Sequence, residues 1–400
     1  MNKRVMRTAK FVGMGLLGIL LAGLAAAAYA PHLPALLAEG YPSVTWPARG
    51  HHVLVSGSDL SELSNSNNHL RPANARLRQL FSESGGRALL AYHKGRVALE
   101  LSKAGTDIET KFNSFSLVKS LIGALVLKAI DEGKIASLDA SLSTALPELH
   151  GRSIGAVTIR QLLEMGSGIL FESDALKSAS GFAEKDLEGA IANPFGPMAQ
   201  LHARGLGEIL GQLASKLQDR DRFSYQNVNT AILGAVLEKV YGVSLAKLLE
   251  DKIWRLSGAG PAHWRRHGAK GPVSAYCCLY ARAIDWALAA RFIANNGQAN
   301  AEFLSPRLWR MLLGHDLAQQ ALSAGHYGLH VRHDVLDRPG EPLQGRFTYF
   351  LGQGGQTVYL MPARDLIVVR FGERAQLLHS TLYSVWKSIT TDGRQAMLAR

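Results

Sequence analysis

The sequence predicts an α+β fold: an antiparallel sheet flanked by helices, with a helical insertion domain between the first and last strands. Three observations carry this. Near the start, Arg87–Tyr92 and Val97–Leu101 flank His93-Lys94-Gly95-Arg96, a β-hairpin pattern. Towards the end, Phe347–Leu351, Thr357–Leu360 and Leu366–Phe371 alternate with a period of two and read as three antiparallel strands. The patterns between these two groups are helical, so the order fits a sheet whose first and last strands come from opposite ends of the chain.

Composition narrows the class. With 400 residues, 47% hydrophobic and 19% charged, the chain can bury a full core. Its formal net charge is +12, and Lys3, Arg4, Arg7 and Lys10 supply four of those charges, leaving +8 on the remainder. The remaining bases are scattered, apart from short clusters such as Arg265-Arg266, and no stripe of interleaved aromatics accompanies them. No nucleic-acid partner is expected. The only cysteines, Cys277 and Cys278, are adjacent and cannot join distant segments; two small buried hydrophobes are expected there.

Residues 1–30 read as a signal peptide or N-terminal membrane anchor. Four bases precede an apolar run from Phe11 to Ala30 that ends in Ala28-Tyr29-Ala30, a site of the A-x-A kind. The run is about long enough to span a bilayer, and Pro31 disfavours cleavage, so a tether to the inner membrane through residues 11–30 stays open. Either way the bulk of the chain is expected to be periplasmic or otherwise extracytoplasmic. Residues 31–73, rich in Pro, Ser and Asn, read as an irregular lead-in. Residues 74–140 and 268–400 are expected to form an α/β sandwich domain, and 141–267 the helical insertion domain.

Taken in order, Asn74 caps a short helix to Phe81, and the apolar stretch ending near Asp131-Glu132-Gly133 is a central buried helix. Its Ser- and Asn-rich entry is expected to supply capping side chains. Thr158 caps a short helix that stops at Gly166. Residues 171–222 read as helical with polar loops, a place for a substrate-facing lid. Residues 228–241 form an amphipathic helix ended by Gly242, and helices follow from Ser244, over 281–295, over 305–313 and over about 375–390.

Chemistry is expected at the mouth of the central helix. Ser116 and Lys119 lie three residues apart and so share a helix face. A buried lysine there could take the serine's proton. Equally, Ser116 could cap the helix while Lys119 snorkels to solvent. The spacing alone decides nothing, because Ser244 and Lys247 share it, as do Ser384 and Lys387, both with structural readings. Tyr225 and Asn227 precede the 228–241 helix. A tyrosine beside a lysine can shuttle a proton and an asparagine can position it, or Asn227 or Asn229 simply caps the helix. Gln353, Gly354, Gly355 and Gln356 open the next-to-last strand, where backbone N–H groups can face an oxyanion or merely form a turn. His51, His52, His326, His330 and His333 lack partners at metal-ligand spacing, and no phosphate loop or dinucleotide fingerprint is present, so neither metal nor cofactor is expected.

In this order, four segments resemble the serine β-lactamase/penicillin-binding-protein superfamily: Ser116–Ser120, Thr158–Gly168, Phe223–Thr230 and Gly352–Gln356. Within it the chain resembles the class C β-lactamase-like branch, especially the 6-aminohexanoate-dimer hydrolases and related esterases, over roughly residues 80–390. The resemblance implies Ser116 as the acylated nucleophile, Lys119 as its base and Tyr225 as the group assisting proton transfer at the leaving group. It implies Asn227 as a positioning residue and the backbone N–H groups of Ser116 and Gln356 as the oxyanion hole. Gln353 departs from the pattern: many relatives carry Lys or His there, and a neutral amide holds a substrate carboxylate less well. The expected substrate is therefore a small-molecule ester or amide. A β-lactamase or D,D-carboxypeptidase is the first alternative, and a non-catalytic binding module of the same fold the second.

Overall fold

The computed structural model describes residues 30–58, 70–169, 196–210 and 219–390, together with positions 15, 18, 23, 28, 213 and 217. Most of the candidate export segment, most of the candidate lid and the chain beyond 390 therefore fall outside the described residues. Among the described residues no helix is long and apolar enough to cross a membrane.

Residues 31–58 differ from the expected irregular lead-in. They form helix α1 (Leu33–Glu39), with Pro34 in its first turn and Gly40 ending it at φ 68°, and strand β1 (His51–Val55). The pattern is faint because β1 is a half-exposed edge strand, with Val55 its only fully buried side chain. Helix α2 (Ala75–Glu83) follows, capped as expected by Asn74, whose side chain accepts from Leu77 N at 2.8 Å.

Strands β2 (Gly86–His93) and β3 (Arg96–Ser102) form the expected hairpin. His93 pairs with Arg96, and the turn residues Lys94 and Gly95 both have positive φ, as a two-residue turn between twisted strands requires. Short β4 (Phe112–Asn113) leads through a single 3-10 turn, Phe115–Leu117, into the central helix α3 (Val118–Asp131). Further on come α4 (Ile159–Leu163), α5 (Pro197–Arg204), α6 (Asn227–Tyr241), β5 (Ala262–Arg266), β6 (Leu279–Ala281) and α7 (Ala283–Ala294). The chain closes with β7 (His326–Gly328), β8 (Val331–Leu336), β9 (Gly345–Gly352), β10 (Gln356–Met361), β11 (Leu366–Gly372) and α8 (Leu378–Thr390).

Two sheets hold these strands. Four strands run in the order β1-β5-β6-β4, and seven antiparallel strands in the order β3-β2-β11-β10-β9-β8-β7. Strand β2 from the start of the chain thus pairs with β11 from its end, Ala91 opposite Val368. Period-two alternation sends Leu90, Val358, Leu360, Ile367 and Val369 to one face, in the cluster that contains α3 and α7. Leu89, Ala91, Tyr359, Met361 and Val368 go to the other, against α2 and α8. Helix α3 is buried on nearly every side, as its all-round apolar sequence demands.

The expectation of two unjoined cysteines is corrected. Cys277 and Cys278 are fully buried and bonded to each other as a vicinal disulfide. Adjacency rules out a link between distant segments, but not a bond within the pair.

Candidate active site

The local path of the chain explains how Ser116 is presented. Asn113 Nδ2 donates to Ser43 O at 2.9 Å and to Tyr280 Oη at 3.1 Å, while its Oδ1 accepts from Phe115 N at 2.9 Å. Ser114 exchanges two hydrogen bonds with Leu279: its N donates to Leu279 O at 2.9 Å, and its Oγ accepts from Leu279 N at 3.0 Å. Pinned on both sides, the chain turns through Phe115 at φ 43°, a sparsely populated conformation for a side chain of this size. Ser116 follows, half-buried, inside the 3-10 turn. Helix α3 starts after it with no side-chain cap, so neither Ser116 nor its neighbours act as the expected capping groups.

Lys119 does not snorkel to solvent; it is 2% exposed. Its Nζ lies 3.1 Å from Ser116 Oγ, 2.5 Å from Asn227 Oδ1 and 2.8 Å from Tyr276 O. The same nitrogen stands 5.1 Å from the ring centroid of Tyr225 and 5.6 Å from that of Tyr276. Two carbonyl oxygens and two aromatic faces thus hold one buried amine against the Ser116 hydroxyl; as a neutral amine it donates to Asn227 Oδ1 and Tyr276 O and turns its lone pair to Ser116 Oγ, the geometry a serine activated by a lysine requires. Asn227 is the first residue of α6 rather than part of the preceding loop, and its Nδ2 reaches Met198 Sδ of α5 at 3.6 Å.

The glycine-rich turn packs against this centre. A Cβ on Gly352 would lie 2.5 Å from Ser114 O and 3.3 Å from Leu117 N, so only glycine lets the end of β9 lie on the turn that carries Ser116. Gly354 and Gly355 then turn the chain at φ 73° and 72° into β10. The Gln356 side chain faces away from any substrate. Its Oε1 accepts from Gly372 N, and its Nε2 donates to Gly372 O and Gln353 O, each at 2.8 Å. Its contribution to a site is limited to its backbone. Ser116, Lys119, Tyr225, Asn227 and the Gln353–Gln356 turn therefore converge, from three separate regions of sequence. Among the described residues no group of three or more His, Cys, Asp or Glu is arranged to hold a metal ion.

A family model described as Beta-lactamase matches residues 75–380, more than three-quarters of the chain. The chain belongs to the Beta-lactamase family. That membership places it in the serine β-lactamase/penicillin-binding-protein superfamily of hydrolases. Among curated relatives, the 6-aminohexanoate-dimer hydrolase of Paenarthrobacter ureafaciens is 26% identical over 187 residues, 44% of this chain and 44% of that protein. A fimbrial assembly protein, FimD of serogroup H1 from Dichelobacter nodosus, is 33% identical over 149 residues, 36% of this chain and 33% of that protein. The chain thus spans less than half the length of the curated relatives it matches. Solved structures with the same fold include a Bacillus anthracis protein described as a 6-aminohexanoate-dimer hydrolase, with TM-score 0.63 at 19% identity over 88% of this chain and 92% of that one. A penicillin binding protein from Bacillus halodurans superposes with TM-score 0.56 at 18% identity over 78% and 99%.

Sequence reasoning missed two groups of this Beta-lactamase-family centre. Tyr276 acts through its carbonyl oxygen, which leaves no residue-type signature. Arg370 is fully buried behind the glycine turn, where Nη1 donates to Gly354 O, Gly355 O and Arg374 O at 3.0, 2.8 and 2.9 Å. Its Nη2 donates to Ser84 O and Ser84 Oγ at 2.6 and 2.8 Å. A signal existed: Arg370 interrupts the wholly apolar run of β11.

Three buried histidines, His267, His330 and His333, make the fold acid-sensitive. Burial is the main cause holding each down to about 3, aided by Arg265, Lys119 and His326 respectively. In the unfolded chain each imidazole protonates near 6.5, so below that pH unfolding takes up protons that the native state refuses. Their contribution is fully present above pH 6.5 and is lost as pH falls towards 3. Unfolding free energy should therefore drop between pH 6.5 and 4, by on the order of 1 kcal/mol per pH unit per histidine. Urea midpoints across that range check this; a midpoint that stays flat to pH 4 contradicts it.

Proposed function

We propose that the protein is an exported serine hydrolase that cleaves neutral esters or amides through an acyl-enzyme on Ser116. The observation that carries the reading is the buried Lys119 amine 3.1 Å from Ser116 Oγ, held by Asn227 and the Tyr276 carbonyl. Lys119 accepts the Ser116 proton as Oγ attacks the acyl carbon. The oxyanion forms against the backbone N–H groups of Ser116 and Gln356, donors of the kind whose loss costs about 3 kcal/mol of transition-state stabilisation. Tyr225, beside Lys119, passes a proton to the departing alcohol or amine. Water then attacks the ester by the reverse route, and Ser116 is regenerated. The site requires no metal in this scheme.

The substrate preference rests on Gln353, which brings an amide where a cation would hold a substrate carboxylate. Gln353→Lys is expected to raise kcat/KM for a carboxylate-bearing amide roughly tenfold, the worth of one charge-assisted hydrogen bond, with little change for p-nitrophenyl butyrate. Equal effects on the two substrates would count against Gln353 as the selecting residue.

The reading extends to domain roles and location. Residues 74–140 and 268–400 are proposed as the sandwich domain and 141–267 as the helical insertion domain, although strand β5 (Ala262–Arg266) pairs back onto β6 of the sandwich segment. The four bases and apolar run of residues 1–30 support export, with an inner-membrane tether through residues 11–30 where the segment is retained. The full chain should fractionate with inner membranes or appear in the periplasm; recovery from the cytoplasm would contradict the export proposal.

One experiment tests the catalytic reading. The full chain and Ser116→Ala are incubated with p-nitrophenyl butyrate, a fluorophosphonate and a fluorescent penicillin. Turnover and a fluorophosphonate adduct that both vanish in Ser116→Ala are expected. Labelling by the penicillin alone would instead indicate a β-lactamase or D,D-carboxypeptidase, and no adduct with any reagent a binding module.

A further inference from the structure

The two-residue turn between β7 and β8 is built from the wrong residues for its shape. Gly328 pairs with Val331, and Leu329 and His330 between them both lie in the left-handed region, at φ 54° and 63°. Such a hairpin turn favours Asn-Gly, and a bulky residue at each position is strained. Strain of this kind persists where the surroundings impose it, and here the turn is held by contacts to the helices that carry Lys119 and Asn227.

His330 is 3% exposed and reaches three helices at once. Its backbone N donates to Leu163 O at 3.0 Å, and its Nδ1 lies 3.0 Å from the same carbonyl, at the end of α4. Its Nε2 lies 3.0 Å from Thr230 Oγ1 on α6, one turn beyond Asn227. Its carbonyl oxygen accepts from Ser120 Oγ at 2.7 Å, on α3 directly after Lys119. The neighbouring Leu329 carbonyl presses on the same helix, where a Cβ on Gly123 would meet it at 2.3 Å. Finally, Nδ1 lies 3.2 Å from Tyr327 Oη, and the Tyr327 ring stands 6.3 Å from that of Tyr225. With Nδ1–H directed at Leu163 O, the unprotonated Nε2 accepts from the Thr230 hydroxyl. Burial keeps the ring in this neutral form.

We propose that His330 is a positioning residue for the acyl transfer: it clamps α3 to α6 one turn behind the Lys119–Asn227 contact and backs the wall that holds Tyr225. The inference rests on the serine-hydrolase reading above. His330 touches neither substrate nor nucleophile; it fixes the separation of the two helices that carry the lysine and its asparagine. A displacement of about 1 Å at a reacting group costs around a hundredfold in rate, so loosening this clamp should act on kcat rather than on substrate affinity.

The test uses the full chain carrying His330→Gln, Thr230→Val, or both, with three readouts: kcat and KM for p-nitrophenyl butyrate, the rate of fluorophosphonate labelling at Ser116, and Tm. In His330→Gln, kcat and the labelling rate are expected to fall about a hundredfold with KM within about twofold. Thr230→Val should lower both about tenfold, and the double variant should be no worse than His330→Gln, because one hydrogen bond is shared. Wild-type labelling by a folded His330→Gln protein overturns the inference, as does an effect confined to KM or one that adds fully in the double variant. If His330→Gln does not fold, Thr230→Val decides alone, and a wild-type rate there overturns it. If the unmodified chain neither labels nor turns over, the hydrolase reading fails separately. Crystal structures of the variants then decide the clamp: opening of the Lys119–Asn227 contact supports it, and an unchanged contact overturns it.

Discussion

Lys119→Met is expected to lower kcat and Ser116 labelling by about 10³- to 10⁴-fold, the upper part of the range for losing a general base. Methionine nearly reproduces the length and volume of the lysine stem but cannot accept a proton. The substitution leaves Asn227 Oδ1 and Tyr276 O without the amine they hold, at a cost of about 1–3 kcal/mol each, while removing a buried amine whose desolvation opposes folding. These effects oppose each other, so Tm should move far less than activity. Lys119→Arg should fail as well, because a guanidinium stays protonated and its planar fork does not fit three oxygens arranged around one nitrogen. Rapid-quench measurement of acyl-enzyme formation checks both variants. Labelling within about tenfold of the wild type would show that Ser116 is activated by something else.

The second large effect is expected away from the nucleophile. Arg370→Met should destabilise the fold by about 3–5 kcal/mol, read as a lower urea midpoint, because it strips the donors from four carbonyls, those of Gly355 and Ser84 in fully buried hydrogen bonds. Burial pulls the Arg370 guanidinium down to about 10, so it stays charged at neutral pH and its hydrogen bonds are charge-assisted. The loss should reach the site because Gly354 O and Gly355 O are what Arg370 grips, and their turn leads into the Gln356 backbone proposed above as an oxyanion donor. Arg370→Lys is not expected to restore either property, since one ammonium cannot span Ser84 and the glycine turn together. Full stability in Arg370→Met would mean that water or a rearranged turn replaces the guanidinium.

Much of this architecture is legible in the sequence because it depends on periodicity. The late strands alternate with a period of two, and α3 is apolar on all sides; each pattern has one stable burial. Ser116, Lys119, Tyr225 and Asn227 are nameable because their segments, taken together and in order, resemble the superfamily; the spacing of Ser116 and Lys119 alone recurs at Ser244 and Lys247. The same reasoning fails wherever backbone or long-range contact does the work. Tyr276 contributes a carbonyl, His330 a turn conformation, and β1 draws its order from pairing with a strand more than two hundred residues away. The adjacent cysteines fail for another reason: spacing rules out distant bridges and says nothing of a bond between neighbours.

The pairing of β2 with β11 also sets an order of events during synthesis. A nascent chain that has not emerged past Gly372 leaves β2 with β3 as its only sheet neighbour, so the middle of the seven-stranded sheet cannot close. Asn74 makes the same demand, since its partners Ser384 and Ser388 arrive later still. Contacts this distant in sequence make folding slow and nearly all-or-none. The middle of the seven-stranded sheet therefore stays open, with the inner edge of β2 unpaired, until strand β11 has been made.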